Sequence, residues 1–196
     1  NIICGYAYSS LKKEYSKYNC LYSPNWEKNN VGGSVGFALN FWNQKNVLFI
    51  YGDTLFNNSV FKEVLKHRNR NIIVSAKPNP SSLNIEKISD IITQGSSNQF
   101  TGLTLLNTTT VEYLKLGLQK NINKNHKIRF STILKNLIKE NPKTDFKVVD
   151  ASGMWTEIDS KDEFTKFLFG SKAETLQRIS PYIKKSHILP QIHFNY

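Results

Sequence analysis

Short apolar runs alternate with longer segments that carry apolar residues at helical spacing along most of this 196-residue chain. Runs of this length predict buried strands, and the amphipathic segments between them predict helices. The alternation therefore predicts a mostly parallel sheet with helices on both faces. The predicted strands are Ile2–Cys4, Cys20–Tyr22, residues 47–51, Asn71–Ala76, residues 100–106 and Phe146–Asp150.

Six helices are predicted from apolar spacing and from residues that can cap a helix start. Between the third and fourth helices, residues 81–98 have a less regular spacing of apolar residues, which predicts a strand pair or an edge hairpin. The third helix is predicted to bury Val60, Phe61, Val64 and Leu65 on one face. Ser160 and Glu163 form a capping box at the last helix. The predicted starts are, in order, Ser9 or Ser10, Phe37, Ser59, residues 108–110, Phe130 and Ser160.

The chain is strongly basic, with 26 Lys and Arg residues against 15 Asp and Glu residues and a net charge of +11. This charge favours an acidic partner, such as phosphorylated metabolites, nucleic acid or an anionic membrane. The basic residues are scattered and form no nucleic-acid-binding motif, so nucleic acid is not favoured. No apolar stretch reaches the roughly 20 residues of a membrane span. Cys4 and Cys20 lack metal-binding spacing and predict packing residues in a reducing, cytoplasmic setting.

Two carboxylates stand where predicted strands and helices give way to loops. Asp53 follows the apolar run of residues 47–51, at the strand end where α/β proteins bind ligands. The alternative is that Asp53 only caps a helix or forms a turn. Asp159 is held beside the capping box at Ser160. If both reach one crevice, they suit a Mg²⁺ ion that binds nucleotide phosphates, because Mg²⁺ prefers oxygen ligands and needs only one or two carboxylates.

A polar, glycine-rich segment over residues 25–36 precedes the predicted helix at Phe37. It predicts a loop that feeds a helix N-terminus, which is a site for an anion or a base edge. The alternative is a plain surface loop capped by Ser34. The segment has neither of the common glycine-rich nucleotide motifs, so both interpretations stay open.

Several ordered motifs resemble the nucleotidyltransferases of the sugar-phosphate and phosphocholine cytidylyltransferase type. They span residues 2–167 and include Gly5 with Tyr6, the stretch from Tyr22 to Asn30 with Gly33 and Ser34, Gly52 to Leu55, and the stretch from Val149 and Asp150 through Glu157 to Asp159, with Asp162. The resemblance implies a three-layer αβα, Rossmann-like (GT-A-like) domain with a mostly parallel mixed sheet. It also implies transfer of a nucleoside monophosphate from CTP or another nucleoside triphosphate to a small phosphorylated acceptor, with release of pyrophosphate.

The resemblance also implies site residues. Asp53 and Asp159 match the family's magnesium pair and are the predicted catalytic and metal-binding residues. Asn29, Asn30, Gly33 and Ser34 match its run of contacts to the base or acceptor. Trp155 and Glu157 fall where the family lines its acceptor pocket.

The chain also departs from the family, because a first strand with a Gly-x-Gly-x-Arg loop that grips the triphosphate is absent before Asn1. We expect this N-terminal strand and loop to lie upstream in the source protein. If they do not, the domain cannot bind a nucleoside triphosphate productively. Two other functions stay open: a non-catalytic basic binding or scaffold module that retains the fold, and a glycosyltransferase, which is less favoured because an Asp-x-Asp motif is lacking.

The predicted nucleotidyltransferase-like domain covers residues 1–168, and residues 169–196 form a C-terminal extension. Phe169 to Leu176 resemble, more weakly, the start of the ATP-binding domains of phosphoenolpyruvate synthases and dikinases. The resemblance implies fusion to a downstream kinase-like module. The alternative is a helix capped by Ser171 and a proline-containing tail.

Overall fold

A computed structural model describes residues 1–43, 45–78, 98–122 and 127–169. The chain divides into two compact units, Asn1–Glu157 and Ile158–Tyr196. Residues 81–97 of the predicted strand pair and the predicted kinase-like start after Phe169 lie outside the described residues. The predicted boundary between residues 168 and 169 therefore stays a prediction. No described helix is long and apolar enough to cross a membrane.

The first unit contains every strand predicted from an apolar run. Two short strands, β4 and β8, were not predicted. The strands are β1 (Ile2–Cys4), β2 (Cys20–Tyr22), β3 (Val47–Ile50), β4 (Thr54–Phe56), β5 (Asn71–Ala76), β6 (Gln99–Leu106), β7 (Phe146–Asp150) and β8 (Trp155–Glu157). The helices are α1 (Tyr8–Glu14), α2 (Val31–Ala38), α3 (Asn58–Lys66), α4 (Thr108–Ile122) and α5 (Phe130–Glu140), with a 3₁₀ turn at Leu39–Phe41 after α2.

The main sheet has the strand order β3-β6-β5-β7 and is mixed. β5 and β7 run parallel, whereas β6 runs antiparallel to both β3 and β5. β1 and β2 form a separate parallel pair, and β4 and β8 a separate antiparallel pair. The sheet is mixed, as predicted. Fewer of its strand pairs are parallel than predicted, because β6 runs antiparallel to both of its neighbours.

Helices cover both faces of the main sheet, which gives the predicted three layers. Successive side chains of a strand point to opposite faces. Ile73 of β5 therefore packs with α2, α4 and α5 in one core cluster, whereas Ile72 and Val74 pack with α3 in the other. Helix α4 has an apolar face that includes Val111, Leu114 and Leu118, and these side chains are buried in the first cluster.

Most helix starts differ from the predicted ones by a few residues. α1 begins after Ala7, which has φ 54° and makes no side-chain cap. Asparagine side chains cap α2, α3 and α4, from Asn30, Asn57 and Asn107, where serine, threonine or an apolar residue further along had been predicted. Asparagine and serine cap equally well, so in an Asn-rich chain the residue type does not identify the cap.

The start of α2 carries the most consequential correction. Val31, Gly32, Gly33 and Ser34 lie in the helix, not in the loop predicted over residues 25–36. The predicted apolar face of α3 is also partly wrong, because Leu65 is 55% exposed while Val60 and Val64 are buried.

The described part of the second unit is residues 158–169, with helix α6 at Lys161–Phe169. The Glu163 N–H donates to Ser160 Oγ at 3.2 Å. In return, Glu163 Oε2 accepts from the Asp159 N–H at 2.7 Å. The predicted capping box is therefore confirmed, with its carboxylate bonded to the residue before the N-cap.

Candidate functional site

A cavity of about 1270 Å³ lies in the first unit between β1 and β3, and we call it the interstrand cavity. Its apolar lining includes Ile3 of β1 and Leu48 of β3, and also Val35 of α2 and Phe130 of α5. Its polar lining includes Asn29, Asn30 and Ser34 around the start of α2, and Asp53 after β3. Four of the predicted site residues therefore line one cavity, although they are separated along the chain.

The start of α2 fixes the position of Asn30. Its side-chain Oδ1 accepts a hydrogen bond from the Val31 N–H at 2.6 Å, and its backbone oxygen accepts from the Gly33 N–H at 2.9 Å. These bonds satisfy donors that a helix start otherwise leaves without a partner. Asn30 thus has a structural role in addition to the substrate contact that the resemblance implies.

Gly33 provides the space that the Asn29 side chain occupies. A Cβ atom at Gly33 would lie 2.7 Å from Asn29 Cγ, closer than carbon atoms approach without a shift. Gly33 lines a neighbouring pocket of about 330 Å³ together with Asn29 and does not line the interstrand cavity. Its predicted part in the site is therefore indirect, through the position of Asn29.

Asp53 lies in an exposed turn between β3 and β4. The Thr54 hydroxyl donates to the Tyr51 backbone oxygen at 3.0 Å across this turn. β4 pairs with β8 so that Thr54 lies opposite Glu157. This pairing brings carboxylate oxygens of Asp53 and Glu157 within 4.8 Å of each other. Asp53 makes no hydrogen bond or ion pair with any other residue that the structure describes.

Glu157 has a buried neighbour that the sequence did not reveal. Gln99, the first residue of β6, is 2% exposed, and its Nε2 donates to Glu157 Oε2 at 3.5 Å. The apolar run predicted a strand from residue 100, which left Gln99 outside it. The sequence offered one signal for this contact, a polar residue directly before a predicted buried strand. A buried polar side chain normally has a hydrogen-bond partner.

The other two predicted residues are placed differently. The Trp155 ring stacks on Phe56 with centroids 6.5 Å apart and packs against the second core cluster. This contact gives Trp155 a packing role, and its contact with an acceptor stays a prediction. Asp159 belongs to the second unit and is held by Glu163.

Another carboxylate, Asp150, ends β7. Its Oδ1 accepts from the Ser152 hydroxyl at 2.6 Å and from the Ser152 N–H at 2.9 Å. The Ser152 oxygen in turn accepts from the Lys77 N–H at 2.9 Å. The hydrogen bonds from Ser152, mainly that of its hydroxyl, lower the pKa of Asp150 because they favour the charged form.

Neither a protein-family model nor a curated protein sequence matches this chain. Solved structures do match. The inositol-1-phosphate CTP transferase from T. maritima is 15% identical with a TM-score of 0.63, over 90% of this chain and 74% of that chain. The CTP:phosphocholine cytidylyltransferase from Streptococcus pneumoniae is 17% identical with a TM-score of 0.55, over 85% of this chain and 76% of that chain.

A nucleoside-diphosphate-sugar pyrophosphorylase from Vibrio cholerae is 14% identical with a TM-score of 0.58, over 85% of this chain and 78% of that chain. At these identities the match concerns the fold. The chain therefore has the fold of the nucleotidyltransferases to which these structures belong, and the predicted fold class is confirmed.

Proposed function

We propose that this chain is a magnesium-dependent nucleotidyltransferase of the cytidylyl type. It transfers a nucleoside monophosphate from CTP to a small phosphorylated acceptor. An acceptor phosphate oxygen attacks the α-phosphorus, and the bond from the α-phosphorus to the bridging oxygen of the β-phosphate breaks. Pyrophosphate leaves with that electron pair.

The observation that carries this proposal is the clustering of Asn29, Asn30, Ser34 and Asp53 on one cavity, with Glu157 beside Asp53. These residues come from three separate parts of the chain, and the fold brings them together. The same fold occurs in CTP transferases, and the net charge of +11 suits phosphorylated substrates.

The donor atoms fit a magnesium ion. Asp53 and Glu157 offer hard carboxylate oxygens within 4.8 Å of each other, which are the ligands that Mg²⁺ prefers. Two like charges at this separation repel each other, and a divalent cation would relieve the repulsion. When bound, the ion would neutralise charge on the transferred phosphate and on the departing pyrophosphate.

Asp159 is proposed as the second magnesium ligand, as the resemblance implies. Only Ile158 separates it from Glu157 along the chain, so its Cα lies within about 7 Å of that of Glu157. The Glu163 carboxylate holds its backbone N–H, and helix α6 follows directly. Asp159 is thus proposed to reach the ion from a fixed backbone position.

The polar residues of the interstrand cavity would bind and orient the nucleotide. An Asn amide offers a donor and an acceptor, and a Ser hydroxyl offers both as well. Asn29 and Ser34 can therefore hydrogen-bond to base or ribose groups of mixed polarity. The reaction requires no protein nucleophile. Holding the α-phosphorus in line with the attacking acceptor oxygen would therefore account for much of the rate enhancement.

The test supplies the full-length protein with CTP, Mg²⁺ and candidate acceptors, namely phosphocholine, sugar phosphates and amino-acid phosphates, and measures pyrophosphate. We expect release that depends on both the metal and one acceptor. Asp159→Asn should reduce it at least about 100-fold. Asp162→Asn, an exposed acidic residue in the first turn of α6, is the matched control and should retain activity.

Equal turnover in Asp159→Asn and Asp162→Asn would remove Asp159 from the site. If no acceptor yields pyrophosphate and the protein instead binds polyanions with a steep salt dependence and no metal requirement, the binding-module alternative holds.

A further inference from the structure

Helix α1 buries none of its residues. In α2, α3 and α5, by contrast, at least two residues are buried. An amphipathic helix normally packs its apolar face against the core. The aromatic residues of α1 and of the segment that follows it instead remain at the surface, beside the short strand β2.

Four tyrosines and one lysine line an exposed surface along α1. We call this surface the tyrosine stripe, and it consists of Tyr8, Lys12, Tyr15, Tyr18 and Tyr22. The first three follow helical spacing and therefore lie on one face of the helix. The Tyr22 ring contacts that of Tyr8 with centroids 5.2 Å apart, and the rings of Tyr15 and Tyr18 lie 6.4 Å apart. Tyr15, Tyr18 and Tyr22 are 44%, 64% and 46% exposed.

The tyrosine stripe is also basic. The Lys12 ammonium lies 5.6 Å from the centroid of the Tyr8 ring, within the range of a cation–π contact. Lys13 and Lys17 adjoin the stripe along the chain, and Glu14 is the one acidic residue between the start of β1 and the end of β2. Two positions separate Glu14 from Lys12, which turns the two side chains to opposite sides of the helix. Aromatic rings and positive charge therefore share one surface.

This combination favours a partner that offers both flat aromatic faces and negative charge. Protein interfaces are rich in aromatic residues but poor in lysine. A single-stranded nucleic acid has unpaired bases that stack on aromatic side chains and phosphates that bind lysine. In a duplex the bases are stacked on one another, so their faces are not available to the tyrosines. A single strand therefore fits the tyrosine stripe better than a protein or a duplex does.

We propose that the tyrosine stripe binds single-stranded nucleic acid, with bases stacked on Tyr15, Tyr18 and Tyr22 and phosphates beside Lys12. The sequence did not favour nucleic acid because these residues form no linear motif, but α1 and β2 bring them onto one surface. The five residues of the stripe are not among those that line the interstrand cavity. Strand binding and the proposed nucleotidyl transfer are therefore independent, and either can fail without the other.

The first test measures, by fluorescence anisotropy and without CTP or Mg²⁺, the binding of a fluorescein-labelled strand of about 20 thymidylates. Tyr18→Ala should weaken binding about fivefold or more, because it removes one stacking ring. Tyr18→Phe keeps the ring and should bind like the unmodified protein. Tyr113→Ala on α4, at a tyrosine that is 41% exposed, is the matched control and should leave binding unchanged. Circular dichroism checks that each variant is folded, and Tyr15→Ala replaces Tyr18→Ala if that variant is not.

The second test concerns charge. Binding of the strand should weaken as salt rises from about 50 to 200 mM. If Lys12 contacts one phosphate, Lys12→Gln should reduce the slope of log K against log salt concentration by about 0.7. Lys135→Gln, on the exposed side of α5, is the matched control and should keep the slope of the unmodified protein.

Competition then locates the bound strand. Excess CTP at constant ionic strength should leave the strand bound, because the tyrosine stripe and the interstrand cavity are separate surfaces. Displacement by CTP would place the strand in the cavity and overturn the proposal. Equal affinity for a duplex of the same length, tighter binding to phosphatidylserine vesicles, or no binding at the lowest salt would also overturn it, as would alanine variants of the tyrosines that bind like the unmodified protein.

Discussion

Asp53 and Asp150 both stand where a strand of the first unit gives way to a turn, yet their surroundings differ. Asp150 accepts two hydrogen bonds from Ser152, which itself accepts one from the Lys77 backbone. Asp53 has no hydrogen bond with the residues that the structure describes, and the Glu157 carboxylate lies within 4.8 Å of it.

The difference separates two uses of the same residue type. The oxygens of Asp150 are used within the turn, so this carboxylate stabilises the fold locally. The oxygens of Asp53 instead lie near the Glu157 carboxylate, at a separation that one divalent cation could bridge. The comparison is consistent with the proposed metal-binding role of Asp53 and with turn formation by Asp150.

The largest expected effect is that of Asp53→Asn on activity. The exchange removes a charged ligand and keeps the shape of the side chain, so pyrophosphate release should fall at least about 100-fold. The free energy of unfolding should change by no more than about 0.5 kcal/mol, since Asp53 is exposed. Steady-state kinetics and urea denaturation measure the two quantities. Asp145→Asn, another exposed aspartate, is the control, and a loss of stability equal to that of a core variant would contradict the assignment.

Glu157→Gln should have a smaller effect, on metal affinity. If Glu157 shares the ion with Asp53, the Mg²⁺ concentration for half-maximal rate should rise about tenfold. A magnesium titration of the rate checks this, and Glu112→Gln on the exposed side of α4 serves as the control. An unchanged titration curve would mean that Glu157 does not bind the metal. Asp53 and Asp159 would then remain the proposed ligands, and the predicted contact of Glu157 with the acceptor would be favoured.

Ser152→Ala tests whether Asp150 serves to stabilise its turn. It removes the hydroxyl that bonds to Asp150 and accepts from the Lys77 N–H, so the free energy of unfolding should fall by about 1 kcal/mol. Pyrophosphate release per folded molecule should remain that of the unmodified protein. Urea denaturation gives the first quantity, and a large loss of activity at full folding would show that this turn belongs to the site.

The smallest expected effect is on acid stability. The hydrogen bonds of Ser152 lower the folded-state pKa of Asp150 below its unfolded value, so the native state binds fewer protons in that range and stability rises with pH there. The contribution is present near neutral pH and is lost as the pH falls below about 4, through the folded pKa. In Asp150→Asn the fall in unfolding free energy between about pH 5 and pH 3 should be shallower. Equal slopes for both proteins would contradict the prediction.

The elements that could be predicted from the sequence are those whose pattern is local. β3, β5, β6 and β7 are apolar runs, and the Ser160–Glu163 capping box is a local motif, so each was found. β4 and β8 were missed because neither is wholly apolar and each pairs with a partner far away in the chain. The start of α2 was misplaced because glycines at 32 and 33 resemble a loop, although here they allow close packing against Asn29 and the Ile128 oxygen.

The site was predicted only in part for the same reason. Asp53 was identified from its place after an apolar run, and Asn29, Asn30 and Ser34 from a resemblance. Their common position on the interstrand cavity follows from the packing of β1 and β3, which a linear pattern does not specify. Gln99 beside Glu157 was missed because its contact joins two distant strands.

The short pairing of β4 with β8 also determines when Asp53 and Glu157 can come together during synthesis. It joins residues more than a hundred positions apart, so it closes a long loop and contributes few contacts in return. During synthesis β8 emerges after every other strand of the first unit, and a nascent chain that stops at β7 has Asp53 without Glu157 opposite it. The acidic pair can therefore form only after every described strand of the main sheet has been synthesised.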